Sequence, residues 1–259
     1  MVFRIVLLGN GNLASLLTTA IAERPNYVVV GTIGRADEIP PVANYDLLVE
    51  VAAPEAVSAR VLPAVEAGAT ALIASVGGLA DADVRARLER APGRVLVASG
   101  AVGGLDHVRA LALSGEVTAA HIASSKLPAT LIQPWMDDDL VARLRAGAER
   151  IVVASGTAEH VAALFPRSAN VAVAVTLAAN AWGRTTAEMI ADPAAISTTH
   201  LITATGTAGS ARFEVSNVPS PAQPRSSMIV ASSLMRSIDA IAAVHGDGNA
   251  AVGNLLSLL

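Results

Sequence analysis

The sequence predicts an α/β protein in which a doubly wound parallel sheet is followed by a second α/β (α+β) domain. Three observations predict this class. An apolar strand at the start of the chain runs into a glycine turn and then a helix, and strands alternate with helices through the first hundred residues. In addition, 53% of the 259 residues are hydrophobic whereas only 3% are aromatic. A core of Ala, Val, Leu and Ile suits parallel strands that are buried on both faces.

The first strand and its turn carry the most specific signal. The strand leads into Gly9 and Gly11, and Asn12 and Leu13 then open an amphipathic helix. Gly9 permits the tight turn, and Gly11 lets backbone amides approach a pyrophosphate. The helix N-terminus offers unpaired N–H groups and a positive dipole end to that anion. We therefore expect a Rossmann site for NAD or NADP, although a plain strand-to-helix turn would give the same short pattern.

The remainder of the first hundred residues repeats the strand–helix unit. Asp81 stands where its side chain can cap a helix. In such sheets ligands bind beyond the C-terminal strand ends, so we expect Ala53, after the third strand, at the cofactor. The predicted strands are 2–8, 28–33, 46–51, 70–75 and 94–98, and the predicted helices are 12–23, 55–67 and 81–90.

The loop after the second strand bears on the choice between the two cofactors. An acidic residue there binds the ribose 2′-hydroxyl of NAD, but this chain has Gly34 and Arg35, with Asp37 and Glu38 slightly late for that role. Arg35 could hold a 2′-phosphate by charge and a forked hydrogen bond, or it could be a solvated loop arginine. The sequence allows either cofactor and slightly favours NADP.

Beyond residue 105 the pattern becomes richer in strands. Gly206 and Gly209 flank a two-residue turn that predicts a hairpin. A long apolar helix near the end is expected to return to the first domain, and the tail 246–253 is expected to have modest order. We predict a dinucleotide domain of 1–105 plus 222–259 and a substrate and dimerisation domain of 106–221. The predicted strands are 116–123, 150–155, 185–191, 199–206 and 210–218, and the predicted helices are 158–164, 168–182 and 226–245.

Composition narrows the classes of partner. The net charge is −4 without a Lys/Arg cluster, so nucleic-acid binding is not expected. The absence of cysteine excludes disulfides and thiolate sites, and no apolar run is long enough for a membrane span. The histidines are scattered and no carboxylates have ligand spacing, so no metal is expected. These features predict a cytoplasmic protein.

A series of motifs resembles the L-aspartate dehydrogenase family nearly from end to end. The resemblance implies a Rossmann domain and an α/β domain that supplies the active site and a dimer contact. It implies NAD(P)-dependent oxidation of L-aspartate to iminoaspartate, which yields oxaloacetate and ammonia or feeds NAD synthesis. It places Ala101 and Asn170 at the cofactor and His200 as the catalytic histidine. The motifs are Glu50 to Ala56, Ser75 to Leu79, Ser99 to Asp106, Asn170 to Ala172, Ile190 to Pro193, Thr199-His200 and Asn217 to Pro221.

The chemistry of amino-acid oxidation calls for such a histidine independently. Hydride transfer from Cα requires a neutral amine, and hydrolysis of the imine requires a base for water. An imidazole with a pKa of about 6.5 suits both steps. From the residues alone, His200 could equally be a hydrogen-bonded histidine at a strand end. Lys126, which matches a lysine of the family, could bind a substrate carboxylate or orient the cofactor amide, or it could be a solvated loop lysine.

Departures from the family pattern leave the substrate open. Ser125 and Ser197 stand where the family commonly has arginines, and Gly183 replaces an aspartate. Loss of two cations would weaken the binding of a dicarboxylate. Either Arg167 or Arg184 compensates for the lost arginines, or the enzyme takes another amino acid. Two other readings stay open: a related imine or carbonyl reductase, and a non-catalytic dinucleotide-binding regulator.

Overall fold

The computed structural model describes residues 2–220, 223–246 and 257–258. The chain forms two compact units, Met1–Gly100 with Val230–Leu259, and Ala101–Ile229. Within the described part of the chain, no helix combines the length and the apolar character that crossing a bilayer requires.

The first unit is built on a six-stranded parallel sheet with the strand order β13-β5-β4-β3-β1-β2. Strand β3 is buried along its whole length and β4 at all residues but Thr70, as expected when helices cover both faces. The Rossmann class predicted from the sequence is confirmed. The strands are β1 Phe3–Leu8, β2 Tyr27–Ile33, β3 Leu47–Glu50, β4 Thr70–Ile73, β5 Arg94–Val97 and β13 Ser257–Leu258, and the helices are α1 Asn12–Ala22, α2 Pro54–Ala56, α3 Leu62–Glu66 and α4 Ala82–Arg90. Residues Val57–Val61 form a π-helical turn between α2 and α3.

The strand order reverses between β1 and β3, because β2 lies on one side of β1 and all later strands lie on the other. Loops that leave neighbouring strands in opposite directions open a crevice at such a switch point, and ligands of doubly wound sheets bind there. The turn after β1 and the loop after β3 therefore define the place where a ligand of this unit would bind.

Helix α9, Ile229–Gly246, completes the first unit from the far end of the chain. Leu234, Met235 and Ile238 are buried in the same core as β1 and α1. Helix α9 therefore belongs to the first unit. The helix begins later than predicted, since Gln223–Ser227 form strand β12 against Pro219–Ser220, strand β11.

The second unit contains a five-stranded mixed sheet with the order β10-β9-β6-β8-β7. Strand β6 pairs in parallel with β8 and antiparallel with β9. The predicted hairpin is present, with Gly206 opposite Gly209. The strands are β6 Val117–Lys126, β7 Ile151–Thr157, β8 Thr186–Ala191, β9 Thr198–Gly206 and β10 Gly209–Asn217, and the helices are α5 Leu105–Ser114, α6 Asp138–Ala146, α7 Ala158–Leu164 and α8 Asn170–Ala179.

Two helices of this unit, α5 and α6, are absent from the sequence-based prediction. Helix α5 buries Leu105, Val108 and Leu111 at helical spacing and packs on α8 and on strands β9 and β10. Helix α6 buries only Leu144, and its Asp137 cap accepts a hydrogen bond from the Leu140 N–H. The predicted tail, 246–253, lies outside the described residues apart from Gly246 at the end of α9.

Candidate active site

The central strands of the second unit bring four polar side chains to one face of the sheet. His200 on β9 lies directly opposite Ser124 on β6, in an antiparallel register without a bulge at this point. Because alternate residues share a face, Lys126 and Thr198 join them. All four side chains are buried, His200 at 1% and Lys126 at 5% exposure. A buried cluster of this kind requires compensation, because polar groups taken out of water are costly unless they find partners.

In the described part of the chain, His200 has a hydrogen-bond partner on one of its two ring nitrogens. The Ser124 hydroxyl lies 2.9 Å from Nδ1. No hydrogen-bond partner for Nε2 is found among the described residues. Burial, followed by the charge of Lys126, lowers the pKa of His200 to about 3. The imidazole is therefore neutral near pH 7 and keeps a lone pair that can accept a proton.

Lys126 is a buried cation that lacks a counter-ion in the described part of the chain. Desolvation lowers the pKa of Lys126 to about 8. Its nearest acidic neighbour along the pairing, Asp192, receives a hydrogen bond from the Ala194 N–H and lies 3.7 Å from Arg150. A buried ammonium without a carboxylate partner is suited to an anionic ligand.

Ser125 occupies the opposite face of the sheet. It lies between Ser124 and Lys126 in the same strand, so its side chain points away from both. Its hydroxyl is buried and has no hydrogen-bond partner among the residues that the structure describes. An arginine side chain at position 125 would also point to the face opposite His200. The serine at this position therefore does not remove a cation from the face that carries His200.

The N-terminus of α8 lies at the same end of the sheet as Lys126. The Ala158 N–H donates to the Thr185 carbonyl, which fixes the start of α7 and the start of β8 at the other end. Helix α8 ends at Ala179, and the Thr185 N–H donates to the Ala181 carbonyl, so the C-terminus of α8 lies where β8 begins and its N-terminus lies away from that point. Asn170 is the first residue of α8, not its cap, and exposed Arg167 precedes it.

A hydrogen bond from Asn217 fixes Ala101 at the His200 end of the sheet. The sequence alone did not predict this role for Asn217. Asn217 Nδ2 donates to the Ala101 carbonyl at 2.7 Å, and Asn217 pairs in register with Thr198, two residues before His200. Asn217 is buried, so the hydrogen bond is shielded from water. The glycine-rich segment around Ala101 therefore starts beside the cluster.

In the first unit, the turn after β1 has the geometry of a dinucleotide cradle. Gly9 has a φ of +130°, and a Cβ there would lie 2.8 Å from the Val51 carbonyl oxygen. A Cβ on Gly11 would meet no atom within 4 Å, which leaves the backbone open to a large anion. Asn12 is exposed and Leu13 half-buried in the first turn of α1. These residues fit a pyrophosphate at a helix N-terminus.

A buried carboxylate joins two loops beside this turn. Glu50 is fully buried at the end of β3, and its oxygens accept hydrogen bonds from the N–H groups of Ala52 at 2.7 Å and Ser75 at 2.9 Å. Burial raises the pKa of Glu50, although the bonds from Ser75 and Ala52 oppose the shift. Ala53 follows in this loop as the residue before α2. Glu50 thus fixes the loops that end β3 and β4.

Arg35 lies exposed in a loop that a second arginine holds in shape. Arg60 donates to the carbonyls of Gly34, Arg35 and Asp37. The Asp37 carboxylate turns back to accept the Gly34 N–H at 2.7 Å. The Arg35 guanidinium has no partner among the described residues, so it stays available for an anion. A cavity of about 630 Å³ lies between this loop and α3.

Comparison with known proteins decides the family. Residues 106–241 match the family described as aspartate dehydrogenase, C-terminal, and residues 32–94 match the homoserine dehydrogenase NAD-binding domain. An L-aspartate dehydrogenase of Ruegeria pomeroyi is 39% identical over 74% of this chain and 70% of its own length. The chain belongs to the aspartate dehydrogenase family. It is accordingly an NAD(P)-dependent amino-acid dehydrogenase.

Two further relatives of the aspartate dehydrogenase family extend the match. L-aspartate dehydrogenase 2 of Bordetella bronchiseptica is 33% identical over 86% of this chain and 84% of its own length. The crystal structure of aspartate dehydrogenase from Thermotoga maritima has a TM-score of 0.72 at 24% identity, and covers 93% of this chain and 97% of the other. The structural likeness supports the two-domain fold.

The structure groups the predicted site residues by unit. His200 and Lys126 meet in one buried cluster, and Ala101 and Asn170 lie at the same end of that unit. Gly9, Gly11, Asn12, Leu13, Arg35 and Ala53 belong to the other unit. Within the described residues, no group of three His, Asp or Glu side chains could hold a metal ion. Sequence reasoning did not identify Ser124, Glu50, Arg60 and Asn217 as parts of the site.

Proposed function

We propose that this aspartate dehydrogenase relative oxidises L-aspartate with NAD(P)⁺ to iminoaspartate, which water converts to oxaloacetate and ammonia. The observation that carries the proposal is a buried pair on one sheet face: a neutral His200, and Lys126, for which the described residues supply no counter-ion. Such a pair offers a proton acceptor and an anion-binding cation within one site.

The roles follow from the charges. Lys126 binds a carboxylate of the amino acid, which supplies the missing counter-ion. Burial is the main cause of the low pKa of His200, and the charge of Lys126 is the second; the carboxylate offsets that second cause, so binding of the substrate makes His200 more basic. His200 then accepts a proton from the substrate ammonium, and the neutral amine is ready for oxidation. A bound NAD(P)⁺ would supply the acceptor for the hydride of Cα.

His200 also serves the second half of the reaction. Once His200 has released the first proton to solvent, it can take a proton from the water that attacks the imine carbon and return that proton to the departing amino group, so the imidazole ends the cycle neutral. The residues that would hold the cofactor are Gly9, Gly11, Asn12, Leu13 and Ala53 in the first unit, with Arg35 at the ribose, and Ala101 and Asn170 in the second.

An absorbance assay at 340 nm tests the proposal. We expect NADH or NADPH formation with L-aspartate, and a loss of about 10²–10⁴ in rate for His200→Ala. His160→Ala, which changes an exposed histidine of α7, is the matched control and should retain the wild-type rate. Turnover of other amino acids but not aspartate would overturn the substrate, and no turnover with any amino acid would overturn the dehydrogenase.

We further propose a homodimer formed by the face of the second sheet that lies opposite His200. The outward side chains of central strand β9, among them Leu201 and Thr203, are only half-buried within one chain. One chain has a mass of 26.2 kDa, and sedimentation equilibrium should give a particle of twice that mass. Leu201→Glu should give monomers, whereas Leu113→Glu, on exposed α5 surface, should not; a monomeric wild type would refute the dimer.

A further inference from the structure

The pairing of Ser124 with His200 leaves a single ring nitrogen for chemistry. The two residues face each other across β6 and β9, where opposed Cβ atoms lie about 4.5–5.5 Å apart. At that separation a serine hydroxyl reaches the near nitrogen of the ring, and the Oγ–Nδ1 distance is 2.9 Å. Both side chains are almost fully buried, so water cannot readily replace the hydroxyl.

Resting on the proposed function, we propose that Ser124 is a positioning residue: it occupies Nδ1 of His200 and so makes Nε2 the nitrogen that exchanges a proton with the amino acid. In this arrangement the Nδ1–H donates to Oγ, and the Nε2 lone pair accepts one proton from the substrate ammonium. The imidazolium keeps the same Nδ1–H to Oγ bond, and Nε2 later releases the proton it received. No rearrangement of the ring is needed between the two states.

The chemical nature of the partner fits this role. A carboxylate at Nδ1 would stabilise the imidazolium strongly, whereas a hydroxyl fixes the ring without adding a charge. The charged group that affects His200 within the described residues is Lys126. The basicity of His200 is therefore left to respond to whatever anion pairs with Lys126, while Ser124 keeps the direction of the ring constant.

The neighbouring residue, Ser125, provides a matched control. Its hydroxyl is buried in the same strand on the opposite face, and the described part of the chain offers it no hydrogen-bond partner. Ser124→Ala and Ser125→Ala thus remove the same atom from adjacent positions. Only the first substitution removes a contact to His200.

Two readouts test the inference. In ¹⁵N-labelled protein near pH 7, the His200 signal, assigned by its loss in His200→Asn, should show protonated Nδ1 and unprotonated Nε2. In Ser124→Ala it should show a mixture of tautomers. We expect kcat to fall on the order of tenfold in Ser124→Ala, with an altered pH profile and an unchanged KM for the cofactor. Ser124→Thr should restore kcat, and Ser125→Ala should match the wild type.

The outcomes separate this inference from the proposed function. A wild-type His200 protonated on Nε2, or wild-type kinetics in Ser124→Ala, would overturn the role of Ser124. If Ser124→Ala does not fold, the tautomer of the wild type and the kinetics of Ser124→Thr still decide. If the wild type turns over no amino acid, the proposed function fails while the NMR result still tests the hydrogen bond.

Discussion

Lys126 shows how one buried residue can make ligand binding depend on pH. Its pKa of about 8 means that the ammonium persists below that pH and is lost above it. The inhibition constant of succinate, a dicarboxylate without a titrating amine, should therefore rise as the pH increases from 7 to 9.5. Lys126→Met should weaken succinate at pH 7 by more than about tenfold and remove this dependence. An inhibition constant that stays constant over the range would exclude Lys126 as the anion-binding group.

Arg167 and Arg184 are two candidates for the second carboxylate of aspartate, and the structure separates them. Arg184 pairs with Glu116 at 2.8 Å, at the sheet end remote from Lys126, whereas Arg167 lies near the N-terminus of α8 at the Lys126 end. We expect Arg167→Ala to raise the KM for L-aspartate about tenfold or more. Arg184→Ala is the control and should change KM little. Equal effects of both substitutions would contradict this assignment.

At the scale of elements, Glu50 joins the ends of β3 and β4. Glu50→Ala would leave the buried N–H group of Ser75 without its acceptor, at about 1–3 kcal/mol, and would remove the part-buried bond from the Ala52 N–H. We expect a lower melting temperature by circular dichroism and weaker NAD(P) binding by fluorescence. Glu66→Ala removes an exposed ion pair with Arg87 and should cost at most about 1 kcal/mol. A wild-type melting temperature in Glu50→Ala would show that the loops do not depend on this carboxylate.

Elements with a clear periodicity could be predicted from the sequence. The glycine turn, the alternating units and the Gly206–Gly209 hairpin predicted most of the strands, because local patterns determine them. Helix α6 has a capping aspartate but buries a single leucine, so its amphipathic signal is weak. The short β12 is stabilised by pairing with β11, which local propensity does not reveal.

The candidate site was predictable only in part, for a related reason. His200 and Lys126 were found from family motifs, but their place on one face of the sheet depends on the register of β6 and β9, which are far apart in the chain. The same pairing gives Ser124 its role. The sequence shows Glu50 only as the last residue of a strand. Its bond to the Ser75 N–H forms because the fold brings the two loops together. Local sequence patterns do not reveal side chains whose role depends on neighbours in the tertiary structure.

For the whole molecule, His200 should contribute to the pH dependence of stability. Its pKa is about 3 in the folded chain and about 6.5 in an unfolded one, so the unfolded state binds the extra proton between these values. Stability linked to His200 is therefore present above about pH 6.5 and is lost as the pH falls toward 3. Urea unfolding at pH 7, 5 and 4 should show a shallower decline for His200→Asn than for His160→Asn. Parallel declines in the two variants would show that His200 is not buried in its neutral form.

The position of α9 sets an order for events during synthesis. Strands β1 to β5 leave the ribosome first, but Leu234 and Ile238, which close their core, are translated only after the whole second unit. The second sheet has all of its strands in one continuous stretch of chain. It can therefore fold while the apolar face of the first sheet is still exposed. A chain released before Leu234 would leave this apolar face exposed, where chaperones and proteases could bind it.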